Sequence, residues 1–295
     1  MCFKSCTGWF IGWGLVQIVA LGTACKVPPK TSPSATPTSS IPFADGFRLD
    51  SPGTAAPDGP SAVQVVYLIF DVVRADLPVS SVRHSRKIWN HVDELRFDAE
   101  VSASLNRNGL RCGVMSPGSL PAIMAILESA HAKTQKSQVV APPGTPVTVL
   151  IGEVAGPESV FAYSRTRTLV GKTFPAGNKV LTLDYEYHPE LGGATDLRVR
   201  FEVRHDLGTM TLERTEDTLI HVPAVDRYGF EEPVIEMTLR TTDWLLIGPG
   251  EKVEIPNLLG PRFFTWSESG STQHETLLFI MPRPHNPRES ARKPS

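Results

Sequence analysis

Apolar positions along this chain change their spacing three times, and each change marks a segment. Gly8 to Leu21 is uncharged and dominated by large apolar residues with no alternation. From 26 to 62 large apolar residues are sparse. Between 63 and 133 short apolar runs alternate with three- and four-residue spacing, the mark of strands and helices in turn. After Pro142-Pro143-Gly144 the period becomes two, as expected for half-buried strands.

In the 63–133 segment, Val63 to Val73 is rich in β-branched and aromatic residues and predicts a buried strand that ends at Leu77-Pro78. Ile88, Val92, Leu95 and Ala99 then form one stripe at helical spacing, flanked by Trp89, and predict a helix from about Ser85. Asn108-Gly109 supplies a left-handed stop. Leu110–Met115 predicts a second strand. Ser116-Pro117-Gly118-Ser119 caps a second helix with the stripe Leu120, Ile123, Met124 and Leu127. The order β-α-β-α implies a small sheet with helices on one face.

The 137–282 segment predicts a β-rich sandwich or curled sheet. Its clearest hairpin alternates Val180, Thr182, Asp184, Glu186 and His188 with Leu181, Leu183, Tyr185 and Tyr187, and returns through Leu197–Arg204. A turn centred on Gly192 sets Glu186 opposite Arg198 and Asp184 opposite Arg200, a register favoured by opposite charges. Further strands are predicted at Met210–Glu213, Leu219–Val222, Val234–Thr241, Trp244–Ile247 and Thr276–Met281. The last is apolar on both faces and belongs in the middle of a sheet or between layers.

Composition adds an address. The basic, apolar, small-residue order of residues 1–25 is an export signal, and its Cys25 follows Gly22-Thr23-Ala24. The segment resembles a bacterial lipoprotein signal, which implies lipidation of Cys25 after cleavage. It departs from that pattern in having Gly22, not Leu, three residues before the Cys. An ordinary signal cleaved near Ala24, or an uncleaved anchor helix, are the alternatives. Eight prolines in 26–62 with many Ser and Thr predict a disordered tether, and residues 283–295 a disordered tail. Without residues 1–24 the chain carries 28 basic and 31 acidic residues, a net charge of −3, so nucleic acid is not an expected partner. The expected partners are a membrane, through the N-terminal lipid or signal anchor, and protein partners or further copies of the chain. Of Cys2, Cys6, Cys25 and Cys112, cleavage and lipidation leave Cys112 alone, which is expected to be buried as a small apolar residue.

Candidate chemistry is thin. The sequence has no G-x-S-x-G elbow, H-E-x-x-H helix or phosphate-binding glycine loop. Asp184, Glu186 and His188 share a strand face and could ligate a divalent metal, but the facing arginines compete for the carboxylates, and a salt-bridged surface is the preferred reading. No catalytic residue, cofactor or metal is assigned.

Two resemblances remain. Trp89-Asn90-His91-Val92-Asp93-Glu94 with Asn108-Gly109-Leu110-Arg111-x-Gly113 is similar to a group of bacterial envelope proteins, a likeness that brings no activity with it. Glu254-Ile255-Pro256-Asn257-Leu258-Leu259-Gly260-Pro261-Arg262-Phe263-Phe264, with Glu275-Thr276-Leu277-Leu278-Phe279-Ile280-Met281-Pro282, resembles the end of secretins, the ring-forming outer-membrane channels of type II and III secretion. The match covers about a sixth of the chain, and the glycine-rich run that usually precedes Ile-Pro is reduced to Ile247-Gly248-Pro249-Gly250. The combined expectation is an α+β fold, with a small β-α-β-α module before a β-rich, secretin-like domain. The expected role is that of an exported, membrane-anchored, non-enzymatic protein of the cell envelope, facing the periplasm or at the outer membrane, acting in assembly or binding. A secretin-type channel subunit is the alternative, and a hydrolase with an unrecognised site is a third.

Overall fold

A strand that is apolar on both faces needs a layer above and below it, and β1 (Tyr67–Pro78) is such a strand. Leu68, Phe70 and Val72 are buried on one face, Val73, Ala75 and Leu77 on the other. The computed structural model describes residues 66–79, 86–215, 218–251, 255–267 and 272–285, all within one compact unit. β1 pairs antiparallel with β3 (Lys133–Ala141) on one side and β13 (Gln273–His285) on the other. The six-stranded sheet runs β2 (Leu110–Met115), β11 (Trp244–Pro249), β13, β1, β3, with the short β12 (Thr265–Ser267) added to β13.

Helices α1 (Arg86–Trp89) and α3 (Leu120–Ser129) cover one face of this sheet, packing Ile88, Trp89, Ile123 and Leu127 on Val73, Leu246 and Phe279. The other face meets a five-stranded sheet of β10 (Ile235–Leu239), β8 (Ala194–Thr215), β7 (Gly177–His188) and β4 (Val147–Val154), with β9 (Thr218–Gly229) also on β8. Phe70, Leu245 and Leu278 from the first sheet share one core with Leu181, Val199 and Phe201 from the second. Phe70 meets Tyr185 edge-on at 5.1 Å. Hairpin β5 (Glu158–Tyr163) and β6 (Leu169–Phe174) joins that core through Phe174, whose ring lies 5.3 Å from Phe230. Phe230 is in turn 5.7 Å from Phe263 of α4 (Leu259–Phe264). The fold is mostly β, in antiparallel sheets that do not close on themselves.

Several expectations are corrected. The predicted strands β1 and β2 do not pair with each other; β11 and β13 lie between them. The segments 63–133 and 137–282 therefore share one sheet. The single helix expected from Ser85 is broken into α1, a 3-10 turn (Glu94–Arg96) and α2 (Ala99–Arg107). The break comes at Asp93, whose backbone bridges Val114 in both directions and whose carboxylate accepts from Leu95 N at 3.1 Å. Leu95, assigned to the buried stripe, is 94% exposed. The hairpin register is shifted by two residues: Asp184 faces Arg198, and Glu186 faces Asp196. The physical reason is the loop, a 3-10 turn at Pro189–Leu191 followed by Gly192 and Gly193 at φ 71° and 80°, which joins His188 to Ala194. The tail expected to be loose from 283 begins as strand, because Arg283 pairs with Asp71 at 2.6 Å and β13 runs to His285 opposite Tyr67. The export signal, Cys25, the 26–62 tether and the tail from 286 lie outside the described residues.

Candidate assembly surface

The two sequence stretches that carried resemblance meet in space as a structural joint. Gly109, at φ 67°, ends α2 and enters β2. Gly260 N donates to Asn108 O at 2.8 Å, and Gly250 N donates to Gly109 O at 2.7 Å. A Cβ on Gly260 would lie 1.9 Å from Gly109 O, so glycine alone fits there. Asn108, fully buried, donates to Ser104 O and Tyr163 O and accepts from Tyr163 N at 2.7 Å. Arg111 makes a bidentate bond with Glu94 (2.7 and 2.6 Å) and stacks on Trp89 at 4.4 Å. These residues tie α2, β5, α4 and the six-stranded sheet together, and their chemistry is spent on one another.

Cys112 is buried on β2, and burial pushes its thiol pKa well up. The Gly113 N–H acts the other way and Glu94 adds to the rise. Such a thiol is a poor nucleophile. Asp184, Glu186 and His188 do share a face, as alternation requires, but the face is ion-paired. Arg200 holds Asp184 at 2.8 Å, and His188 bridges Asp196 (3.0 Å) and Glu190 (3.2 Å). Burial tends to lower the His188 pKa, but the bonds and charges of Asp196, Glu190 and Glu186 outweigh it and leave the value raised.

The feature left unexplained by packing is the far half of β8 with β9. β7 stops pairing with β8 at Asn178–Arg204. Beyond that point, among the described residues, β8 pairs with β9 alone, to Thr215–Thr218. A bulge marks the change. Gly208, at φ 66°, donates its N–H to Asp206 Oδ1 at 2.8 Å, and Leu207, Gly208 and Thr209 together face Ala224. Past the bulge Met210 faces Pro223 and Leu212 faces His221. Directly opposed residues lie on one face of a ribbon, so Met210, Leu212 and Leu219 share a face; they are 59%, 57% and 63% exposed, and Leu207 in the bulge is 45% exposed. The sequence signal for this was the alternation of Met210 and Leu212 with threonines, which reads as an ordinary short strand.

No protein-family model and no curated protein matches the chain. Solved structures similar to parts of it are secretin domains. With the Klebsiella pneumoniae type II secretion outer membrane complex (PulD, PulS and the PulC HR domain) the identity is 12%, over 78% of this chain and 42% of that chain, at a TM-score of 0.21. With the secretin domain β-barrel of InvG from the Salmonella SPI-1 injectisome it is 12%, over 77% and 65%, at 0.17. With the type II secretin GspD of enteropathogenic Escherichia coli it is 13%, over 77% and 70%, also at 0.17. The chain thus spans less than half of the first of these and 65% of the second. At TM-scores this low the likeness fixes neither fold nor role.

Proposed function

We propose that this chain is a non-enzymatic protein of the cell envelope that assembles with further copies of itself through the β8–β9 ribbon, and that Cys25 carries the lipid that holds it at a membrane. The ribbon carries this reading. A two-stranded ribbon is marginal in water by itself, and an apolar face with unpaired edges invites strand addition. The β8 edge of one copy can accept the β9 edge of the next, which continues the antiparallel alternation. That contact is head-to-tail, so it propagates into a ring if the rotation closes. Covering three half-exposed apolar side chains contributes roughly 1 kcal/mol each per copy.

The test is the size of the full chain in mild detergent by analytical ultracentrifugation. Wild type is expected to form a defined oligomer, and Met210→Ser/Leu212→Ser/Leu219→Ser to run as a monomer with an unchanged melting curve. A monomeric wild type, or a triple variant that still assembles, refutes the reading. The anchor is tested separately: Cys25→Ser is expected to move the protein from the membrane to the soluble fraction.

The channel-subunit reading is favoured by one measure, the ribbon's length. Thr218–Val225, the strand opposite the bulge, has eight residues and at about 3.3 Å per residue extends roughly 23 Å, near the nine or so residues of a tilted membrane strand. A channel subunit runs as a very large heat-resistant complex and makes vesicles leak; a small, heat-labile oligomer on intact vesicles leaves the assembly reading without the pore.

A further inference from the structure

A helix that is apolar all round needs cover on every side, and α3 has cover on one. It reads Leu-Pro-Ala-Ile-Met-Ala-Ile-Leu-Glu-Ser, with Glu128 its only charge, yet only Ile123 and Leu127 are buried. Leu120 and Met124, half-buried, line a groove of about 530 Å³ together with Val73, Trp244, Lys136 and Gln138. The face continues past α3 toward the end of the six-stranded sheet. Val73 packs under the helices, so by alternation Tyr67, Ile69 and Asp71 point to the same side. Their cross-strand partners share that side. Val140 and Arg283 flank Ile69, Gln138 and Met281 flank Asp71, and His285 lies opposite Tyr67. Val140 is 56% exposed and Tyr67 40%, so the helix layer stops short of this end.

Charge and chain path indicate what lies over this face. The charged residues of α1, α3 and β3 are Arg86, Lys87, Lys133 and Lys136 against Glu128 alone, and all are exposed. Asp71 is taken up by Arg283 and Gln138, both at 2.6 Å. A second copy related by a two-fold axis would set these basic residues against each other. An anionic surface complements them. The chain from Cys25 joins the described fold at Val66 and Tyr67, and β13 leaves it at His285, opposite Tyr67. The sequence that follows adds Arg288, Arg292 and Lys293 against Glu289. A tyrosine, aliphatic side chains and basic residues on one face make up the composition of a membrane interface.

We propose that this face of the six-stranded sheet docks on the surface of an anionic lipid bilayer. Tyr67, Val140 and the Leu120–Met124 side of α3 lie in the headgroup region, and Lys136 and Arg86 meet lipid phosphates. The proposal rests on the Cys25 anchor for bringing the bilayer within reach, and it assigns the face that meets it. It uses no residue of the β8–β9 ribbon.

The experiment places acrylodan on Val140→Cys in the full chain, reconstituted into vesicles of equal parts phosphatidylcholine and phosphatidylglycerol. Leu150→Cys, at a 51% exposed position of β4 that points away from the core, is the reference site. The Val140 probe is expected to emit further to the blue than the Leu150 probe, and to lose that shift on pure phosphatidylcholine. Lys136→Gln is expected to lower the ratio of docked to free probe about fivefold. Dye uptake by the wild-type chain marks Cys25 as unlipidated, a failure of the anchor reading alone. The Val140 shift is then expected on added vesicles, with the wild-type signal subtracted, and its absence overturns the proposal. Equal emission from the two sites, an equal shift on pure phosphatidylcholine, or an unchanged ratio in Lys136→Gln overturns it too. So does a shift that appears without lipid and grows with protein concentration, which would place a second copy on the face.

Discussion

Replacing Gly260 by Ala is the sharpest test of the joint between the two recognised sequence stretches. The new Cβ would stand 1.9 Å from Gly109 O, against 3.4 Å or more for an ordinary contact, so the two backbones must part by about 1.5 Å. No rotamer relieves this, because the contact is with backbone. Gly260 N–Asn108 O, now 2.8 Å, then exceeds hydrogen-bonding distance, and Gly250 N–Gly109 O at 2.7 Å is pulled with it. Leaving one buried donor and acceptor unmet costs about 2–3 kcal/mol, and weakening the second bond about 1 more. Ala restricts the unfolded chain and returns roughly 0.5–1 kcal/mol. The net loss is about 3 kcal/mol, at the severe end for a point change. Urea unfolding followed by tryptophan fluorescence reads it as a midpoint lowered by roughly 1 M, at an m of about 2–3 kcal/mol/M. Gly152→Ala is the control, since a Cβ there meets nothing within 4 Å. A Gly260→Ala midpoint indistinguishable from that of Gly152→Ala would refute the cradle.

Asn108→Ala should cost about 2–4 kcal/mol in the same assay, because it removes three side-chain bonds at a fully buried site and orphans Tyr163 N–H. A change below about 0.5 kcal/mol would show those bonds to be dispensable. His188 has a raised folded pKa, so its contribution is complete below the unfolded value of about 6.5 and is lost as pH rises through the folded value. Urea midpoints of wild type and His188→Gln should therefore converge with rising pH, and parallel curves would contradict the assignment. The Cys112 thiol should resist an aromatic disulfide reagent in the native protein and react on unfolding; rapid native labelling would show that the site opens.

What the sequence made legible was whatever a single face or a single spacing determines. β13 was placed centrally because Leu277 to Met281 has no polar face, and it does pair with β1 and β11. The α3 stripe of Ile123 and Leu127 is buried as its spacing required. The helix expected across Ile88 to Ala99 failed because helical spacing competes there with a tertiary bridge. Asp93 satisfies its backbone on Val114, and propensity gave way. β3 was missed because Lys133 to Gln138 is exposed on both faces, so an edge strand of this kind carries no period-two signal. The hairpin register was misplaced because charge complementarity is a weak force next to loop geometry. Arg200 still reaches Asp184, but diagonally.

The ribbon was hidden for a different reason. In the packed half of β8 the large buried apolar residues are Leu197, Val199, Phe201 and Val203, all odd-numbered; beyond the bulge the large apolar residues are Met210 and Leu212, both even. Read for period two, that loss of phase splits one 22-residue strand into two short ones. In three dimensions the same shift means that the apolar residues leave the face that meets the six-stranded sheet. Whatever covers Met210 and Leu212 is therefore not an extension of this chain's own core. Pairing with β7 has already ended at Asn178–Arg204, so neither of the two sheets described covers them. The break in alternation that disguised the strand is thus the same property that leaves its apolar face uncovered by the two sheets.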